Sequence, residues 1–296
     1  MTDHAQHGLS PNLRGSLWMV AAMAGFAVED MFLKAATAHI PLGQALLIFG
    51  LTGAAFFAIL AKRAGETLLH PALLSRPLLI RSSFEVAGRL FYSLAIALTP
   101  LSTASAILQA TPLVVVAGAA ILFGETVGWR RWTAITVGFA GVLLILRPGV
   151  EGFTLLSLVT VAGMAGFAGR DLATRAAPPA LSNRQLGLIG MTMLAVAGAV
   201  ILSVTGGARL PDATATAQIA AMTACGIFAY NALTIAMRTG EVSVVTPFRY
   251  TRLVFAMILG TLVFHERPDA LTLAGSALIV ASGLYTLTRS RPRAKP

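Results

Sequence analysis

The sequence predicts an all-α integral membrane protein, with ten transmembrane helices arranged as two inverted five-helix repeats. Three observations predict this class. Hydrophobic residues make up 56% of the chain and charged residues 11%, with a mean hydropathy of +0.78, so the surface cannot be mainly water-facing. The apolar residues form ten runs of about 20 residues, the length of a helix that crosses about 30 Å of hydrocarbon. In addition, one seventeen-residue stretch occurs twice.

The ten runs are too long and continuous for the strands of a membrane barrel, and prolines punctuate the short links between them. We therefore predict helices over residues 15–36, 41–61, 81–99, 101–123, 129–147, 153–175, 183–205, 214–237, 243–264 and 270–288. The longest link lies between the second and third segments, and its sequence HPALLSRP predicts a short interfacial turn.

The duplicated stretch reads VAAMAGFAVEDMFLKAA at residues 20–36 and VAGMAGFAGRDLATRAA at residues 161–177. At a shift of 141 positions the copies agree at ten of seventeen positions. Such self-similarity indicates an internal duplication. We divide the chain into an N-terminal tail (1–13), a first repeat (14–149), a second repeat (150–290) and a basic C-terminal tail (291–296).

The distribution of Lys and Arg predicts the orientation. Fourteen of these residues fall on the side of the N-terminus, four on the opposite side and four inside the helices. This bias places both termini in the cytoplasm of a bacterial-type inner membrane. Five crossings in each repeat then force the second repeat into the membrane upside down, the architecture of many secondary transporters.

Composition also argues against several classes of function. The sequence pI is about 11.0, but the basic residues cluster at the ends of apolar runs, which indicates membrane anchoring and not nucleic-acid binding. The five histidines lie in tails or at predicted helix ends, there is one cysteine, and no HExxH or phosphate-binding loop is present. We expect no enzyme activity, no metal, no cofactor and no cleaved signal peptide.

Each repeat ends in a small-residue helix behind an FGE or FHE turn, at residues 123–125 and 264–266. With Pro112 and Pro247, this pattern resembles the EamA-type members of the drug/metabolite transporter superfamily over essentially the whole chain. The resemblance implies an exporter of amino acids or related metabolites. Carriers of nucleotide sugars, S-adenosylmethionine or drugs are the alternatives. Pro247 departs from the pattern, since it lies six residues before Leu253, the counterpart of Pro112.

Charged side chains at membrane depth cost at least ~2.5 kcal/mol each, so they normally face a cavity or a partner. Glu85, Arg89 and Tyr92 share one face of the third segment. They form either an intrahelical Glu85–Arg89 ion pair or a cavity face on which Arg89 holds a carboxylate. Arg249 and Arg252 have no acid on their own segment, and Glu85 is their predicted partner, within either a structural ion-pair network or a substrate site.

Further polar and aromatic residues complete the predicted substrate site. The candidates are Gln109, Tyr230, Asn231 and Phe248, with Pro112 as a helix kink. Packing and hydrogen bonding between helices are the alternative roles of these residues. Glu85, Arg89, Arg249 and Arg252 have no charged equivalent at the shift of 141 positions, which favours a site, because a substrate is not symmetric.

Two charge pairs do recur in the repeats. Asp30 and Lys34 correspond to Asp171 and Arg175, each pair four residues apart. Inversion would place one pair near each membrane face, so we interpret them as gates or as stabilisers of helix ends. The glycine stripe at 163, 166 and 169 predicts close helix packing.

These residues predict a secondary transporter of a small zwitterion with a partly apolar side chain, best fitted by an amino acid. The binding partners that we expect are therefore this small-molecule substrate and the lipid bilayer, and not a nucleic acid. An intramembrane enzyme and a passive channel are less favoured alternatives. The sequence leaves the coupling ion, the direction of transport and the choice between monomer and homodimer open.

Overall fold

The computed structural model describes residues 9–68, 70–98, 107–147, 157–264 and 268–289. Ten long helices account for most of these residues: α1 Pro11–Ala36, α2 Leu42–Arg63, α3 Arg76–Leu98, α4 Thr111–Phe123, α5 Trp129–Leu146, α6 Ser157–Arg175, α7 Asn183–Thr205, α8 Ala213–Thr239, α9 Thr251–Phe264 and α10 Ala270–Arg289. The predicted all-helical class is confirmed. A 3₁₀ turn, Pro71–Leu74, occupies the longest link, as predicted.

The ninth predicted segment is not one continuous helix. It contains a short helix, Val242–Val245, then a 3₁₀ turn, Thr246–Tyr250, and only then α9. Pro247 lies in the first turn of the 3₁₀ element and has no N–H with which to continue the preceding helix.

The fourth segment is also interrupted, and Pro112 does not act as a kink within a helix. It lies in the first turn of α4, where a missing N–H costs nothing. The hydroxyl of Thr111 donates to the carbonyl of Leu108 just before the helix. At the shift of 141 positions the starts of α4 and α9 agree to within one residue. The first part of this predicted segment, residues 101–106, lies outside the described residues.

Contacts between the helices follow the duplication. α1 packs against α8, and α6, the counterpart of α1, packs against α3, the counterpart of α8. A Cβ on Gly25 would come within 2.9 Å of Ala229, and a Cβ on Gly166 within 2.6 Å of Gly88. At the shift of 141 positions Gly25 corresponds to Gly166 and Ala229 to Gly88, so the two contacts are equivalent. The two repeats are therefore inverted copies, and the predicted glycine stripe packs against α3.

The α2–α7 and α5–α10 pairs complete the packing of the bundle. The start of α1 lies beside the end of α8, with Gly15 against Gly240, and we call this side the N-terminal face. On the opposite face Gln44 binds the backbone of Arg209. α5 and α10 run antiparallel, so α10 ends on the N-terminal face where α1 begins.

The FGE turn after α4 anchors the interrupted ninth segment. The carboxylate of Glu125 accepts from the backbone N–H groups of Val242 and Ser243, at 2.9 Å each. Arg131 at the start of α5 donates to the Ser243 hydroxyl at 2.8 Å and pairs with Glu241 at 2.7 Å. This turn holds the N-terminus of the short helix in place. Its counterpart at residues 264–266 lies largely outside the described residues.

Six stretches of the described residues are long and apolar enough to cross a membrane. α3 and α6 are not among them. Both carry charged residues in mid-helix, and other helices cover those residues.

Candidate functional site

The glycine contact between α3 and α6 brings their charged residues together. Glu85 of α3 is fully buried and accepts from Nη1 of Arg170 at 3.3 and 3.4 Å. It also accepts from the hydroxyl of Tyr230 on α8 at 3.0 Å. Arg81, which is 1% exposed, donates to the Tyr230 hydroxyl and, at 2.9 Å, to the hydroxyl of Thr174. The Glu85 carboxylate is thus stabilised by donors from two other helices.

The network continues through Asp171, the next residue of α6. Nε of Arg170 lies 2.8 Å from Oδ1 of Asp171, an ion pair by distance that lacks hydrogen-bond geometry. Arg249, from the 3₁₀ turn before α9, donates to Oδ2. We call the whole set the buried ion cluster: Arg81, Glu85, Arg170, Asp171, Thr174, Tyr230 and Arg249.

A second ion pair lies apart from the buried ion cluster and is open to solvent. Nε of Arg252 donates to Oδ2 of Asp30 at 2.8 Å, and its guanidinium lies over the ring of Phe26, 5.3 Å from the centroid. The side chains of Arg252 and Asp30 are 33% and 48% exposed, whereas those of Glu85 and Asp171 are 1% exposed. Charges within a transmembrane bundle keep such exposure only beside water.

These exposures describe a bundle that is closed on one side. Arg81 lies five residues into α3, which starts at the N-terminal face, and Asp30 lies six residues before the end of α1 at the opposite face. The buried ion cluster therefore closes the half of the bundle next to the N-terminal face. From the exposure of Asp30 and Arg252 we infer that water reaches the other half of the bundle, and we call this region the hollow.

Two charged groups beside this hollow have no ion-pair partner in the described parts of the chain. Arg89 has a buried Nε without a hydrogen-bond acceptor, and its guanidinium lies over the ring of Phe167 at 5.7 Å. Glu29 is 2% exposed and makes neither a hydrogen bond nor an ion pair with a described residue. Its charged neighbours are Asp30, Arg89 and Arg252. A cation and an anion that form no ion pair with any described residue thus lie beside the hollow.

Two predicted pairings are wrong. Glu85 does not pair with Arg89 on its own helix, and it is not the partner of Arg249 or Arg252. The contact between α3 and α6 places Arg170 against Glu85 instead. The two arginines of the ninth segment pair with the aspartates of the duplicated stretch, Arg249 with Asp171 and Arg252 with Asp30.

The pairing predicted within each of the two recurring charge pairs is wrong as well. Neither Asp30–Lys34 nor Asp171–Arg175 forms an ion pair. Both aspartates bind arginines three residues apart, so their carboxylates lie within about one helical turn in depth and not at opposite faces. Lys34 and Arg175 lie in last helical turns, where water solvates them, whereas arginines at membrane depth need a carboxylate.

The remaining predicted site residues are dispersed. Tyr92 lies edge-on to Phe167 at 6.0 Å, close to Arg89 on the same face of α3. Asn231 follows Tyr230 on α8 and is half-buried, and Gln109 lies in the turn before α4. Phe248 packs in the hydrophobic core between the repeats.

Sequence reasoning missed three members of the site, Glu29, Arg81 and Arg170. Arg81 is one of the fourteen basic residues counted on the side of the N-terminus, although it precedes Glu85 by one helical turn. Glu29 and Arg170 occupy equivalent positions in the duplicated stretch. The two copies match closely, yet one has an acid where the other has a base. This difference was the signal that could have identified Glu29 and Arg170.

An apolar groove of about 1220 Å³ lies elsewhere, on the other side of α3. Leu79, Val86, Leu94, Leu188 and Met193 are among its lining residues. Because these face away from the charged side of α3, the groove is separate from the hollow.

The profile of the EamA-like transporter family matches the chain twice, over residues 13–147 and 152–288. The chain is 25% identical to a riboflavin transporter of Rhizobium johnstonii over 94% of this chain and 92% of the relative. It is 25% identical to an S-adenosylmethionine uptake transporter of Rickettsia bellii, covering 72% and 73%. It is 27% identical to the pseudopaline exporter CntI of Pseudomonas aeruginosa, covering 90% and 94%. A solved crystal structure shares the fold with a TM-score of 0.79 at 19% identity, covering 93% of this chain and 96% of that chain.

Proposed function

This chain belongs to the EamA-like transporter family and is a multi-pass membrane transporter, not an enzyme. From that premise we propose that it exports an amino acid or a related small zwitterion across the inner membrane by alternating access.

The proposal depends on the guanidinium of Arg89, which forms no ion pair with a described residue. Nε of this half-buried arginine is buried and has no acceptor among the described residues, so a strong donor is free, and a carboxylate is its natural partner. Phe167 and Tyr92 lie beside this guanidinium and offer contacts to an apolar side chain. A substrate with one carboxylate and a small apolar part fits these surroundings.

The closed half of the bundle supports alternating access. Opening the N-terminal face requires the two helices of the α3–α6 pair to separate from α8 and from the ninth segment, which the buried ion cluster now joins. Inverted repeats offer a second conformation in which the two halves of the bundle exchange their packing. A substrate at Arg89 would lie between the closed half and the open half.

The names of the relatives provide a second candidate substrate. S-adenosylmethionine carries an amino-acid group, which Arg89 would hold in the same way. Riboflavin has neither a carboxylate nor an ammonium group, so an unpaired arginine favours it least.

Counterflow in proteoliposomes tests the proposal. Purified protein is reconstituted with an excess of one unlabelled compound inside, and entry of the same labelled compound is measured for the amino acids, S-adenosylmethionine and riboflavin. We expect counterflow of at least one amino acid. The KM of the Arg89→Ala variant should be about tenfold to hundredfold higher than that of wild type. This change corresponds to the loss of a charged hydrogen bond of about 1.5–3 kcal/mol.

Arg184→Ala is the matched control, because its partly exposed guanidinium pairs with Glu66 at the surface. This variant should retain wild-type counterflow. Counterflow of riboflavin alone, or equal KM values for wild type and Arg89→Ala, would contradict the proposal.

A further inference from the structure

Glu29 lies on α1, about 10 Å from the end of that helix at the open face. Its charged or titratable neighbours come from four helices: Asp30 on α1, Arg89 on α3, Cys225 on α8 and Arg252 on α9. Glu29 is only 2% exposed. It therefore lies at the meeting point of both repeats.

The other described acids of this region are all satisfied. Glu85 accepts from Arg170 and Tyr230, and Asp171 pairs with Arg170 and Arg249. Asp30 accepts from two nitrogens of Arg252. Glu29 differs from these acids, because no described donor reaches its carboxylate.

A buried carboxylate without a donor is costly when ionised. Arg89 and Arg252 lower that cost from a distance, but Arg252 is committed to Asp30, and the charge of Asp30 opposes the two arginines. The carboxylate of Glu29 is thus suited to two states of low energy. It can carry a proton, or it can bind a cation that enters the hollow.

We propose that Glu29 is the coupling site of this transporter, and that it binds in turn a proton and the ammonium group of the substrate. This proposal rests on the proposed function, in which Arg89 holds the carboxylate of the same zwitterion.

The only covalent change in this cycle is the transfer of a proton to and from the Glu29 carboxylate. In the open conformation described here the substrate leaves, and a proton from water bonds to a carboxylate oxygen of Glu29. After the bundle reverses, that O–H bond breaks toward water at the N-terminal face. The carboxylate then binds the next ammonium group, so one proton moves inward for each zwitterion exported.

The first measurement needs no substrate. Infrared difference spectra of the purified full-length protein are recorded between about pH 5 and pH 8. We expect the C=O band of one protonated carboxylic acid to disappear as the pH rises, and the Glu29→Gln variant to lack that band. Glu241→Gln is the matched control, because Glu241 is an exposed residue at the N-terminal face, paired with Arg131. It should keep the band.

The second measurement compares exchange with coupling in proteoliposomes that contain a transported amino acid. An inward proton gradient should accelerate efflux from wild type and Glu241→Gln several-fold. For Glu29→Gln, efflux should be equal with and without the gradient. Substrate exchange without a gradient should persist in this variant, with a raised KM.

Different results would overturn the coupling role of Glu29 and the proposed transport of an amino acid. A band that remains in Glu29→Gln, or a gradient that drives this variant as it drives wild type, would overturn the coupling role while leaving amino-acid transport intact. If no amino acid is transported but the band is lost in Glu29→Gln, the proton site stands and the substrate proposed above is wrong. If the band is absent from wild type, Glu29 does not titrate and the coupling proposal is overturned.

Discussion

Replacing Arg170 with glutamine should destabilise the protein more than any surface charge substitution. Arg170 lies 3.3 Å from one carboxylate oxygen of Glu85 and 2.8 Å from one of Asp171. At an effective dielectric constant of about 20, these contacts represent roughly 5 and 6 kcal/mol of gross Coulomb energy. The cost of desolvating the guanidinium offsets much of this sum. Removing one partner of a buried ion pair costs about 3–5 kcal/mol, which we expect for Arg170→Gln.

Thermal unfolding in detergent measures this effect. At roughly 2–4 °C per kcal/mol, the Tm of Arg170→Gln should fall by roughly 10 °C. Arg184→Gln breaks an ion pair in which the arginine side chain is 45% exposed, and should shift the Tm by less than about 3 °C. The double variant Glu85→Gln/Arg170→Gln removes both charges and should recover part of the loss.

Equal shifts for Arg170→Gln and Arg184→Gln would refute the reasoning, because they would mean that water reaches the buried ion cluster. A double variant less stable than the sum of the two single variants would also count against it. In that case the glutamate and the arginine would stabilise the bundle through separate contacts.

Two further predictions concern the scaffold. Arg147 and the backbone N–H of Thr272 hold the pKa of Asp269 below its usual value. A depressed carboxyl pKa adds stability above pH ~4, and this stability is lost as the pH falls through the pKa of the folded state. The Tm of Asp269→Asn should therefore drop in acid less steeply than the Tm of wild type. Parallel curves below pH ~4 would contradict this. In α6, Gly166→Val should lower the Tm strongly because a Cβ there meets Gly88 at 2.6 Å, whereas the exposed control Ala165→Val should not. Equal Tm values for these two variants would show that the helices can move apart freely.

The sequence predicted the fold well because lipid imposes rules that a single segment must satisfy. Every backbone polar group needs an internal partner, so an apolar run of about 20 residues has little choice but to form a helix. The duplication then determined the inverted arrangement, since five crossings cannot return a repeat to its starting orientation. The breaks at Pro112 and Pro247 follow from the missing N–H group, but their position relative to the helix ends depends on packing.

The partners of the charges could not be predicted in the same way. Sequence alone shows that Arg249 and Arg252 need a carboxylate, but several acids are within reach in principle. The choice depends on which helices touch and at what depth, and the glycine contact of Gly166 with Gly88 decides it by bringing Arg170 onto Glu85. A rule based on spacing along one helix therefore selected the wrong partners.

The scaffold is symmetric, but its charges are not, and this difference bears on transport. Asp30 and Asp171 are equivalent, yet they bind Arg252 and Arg249 of one segment, whose counterparts in the first repeat are uncharged. The closed half of the bundle therefore has an ion cluster that the opposite half cannot reproduce when the conformation reverses. In the proposed cycle, opening the N-terminal face must separate these buried charges and rehydrate them. In the proposed cycle the protonated, substrate-free carrier makes this change, and its return with the zwitterion restores the buried ion cluster.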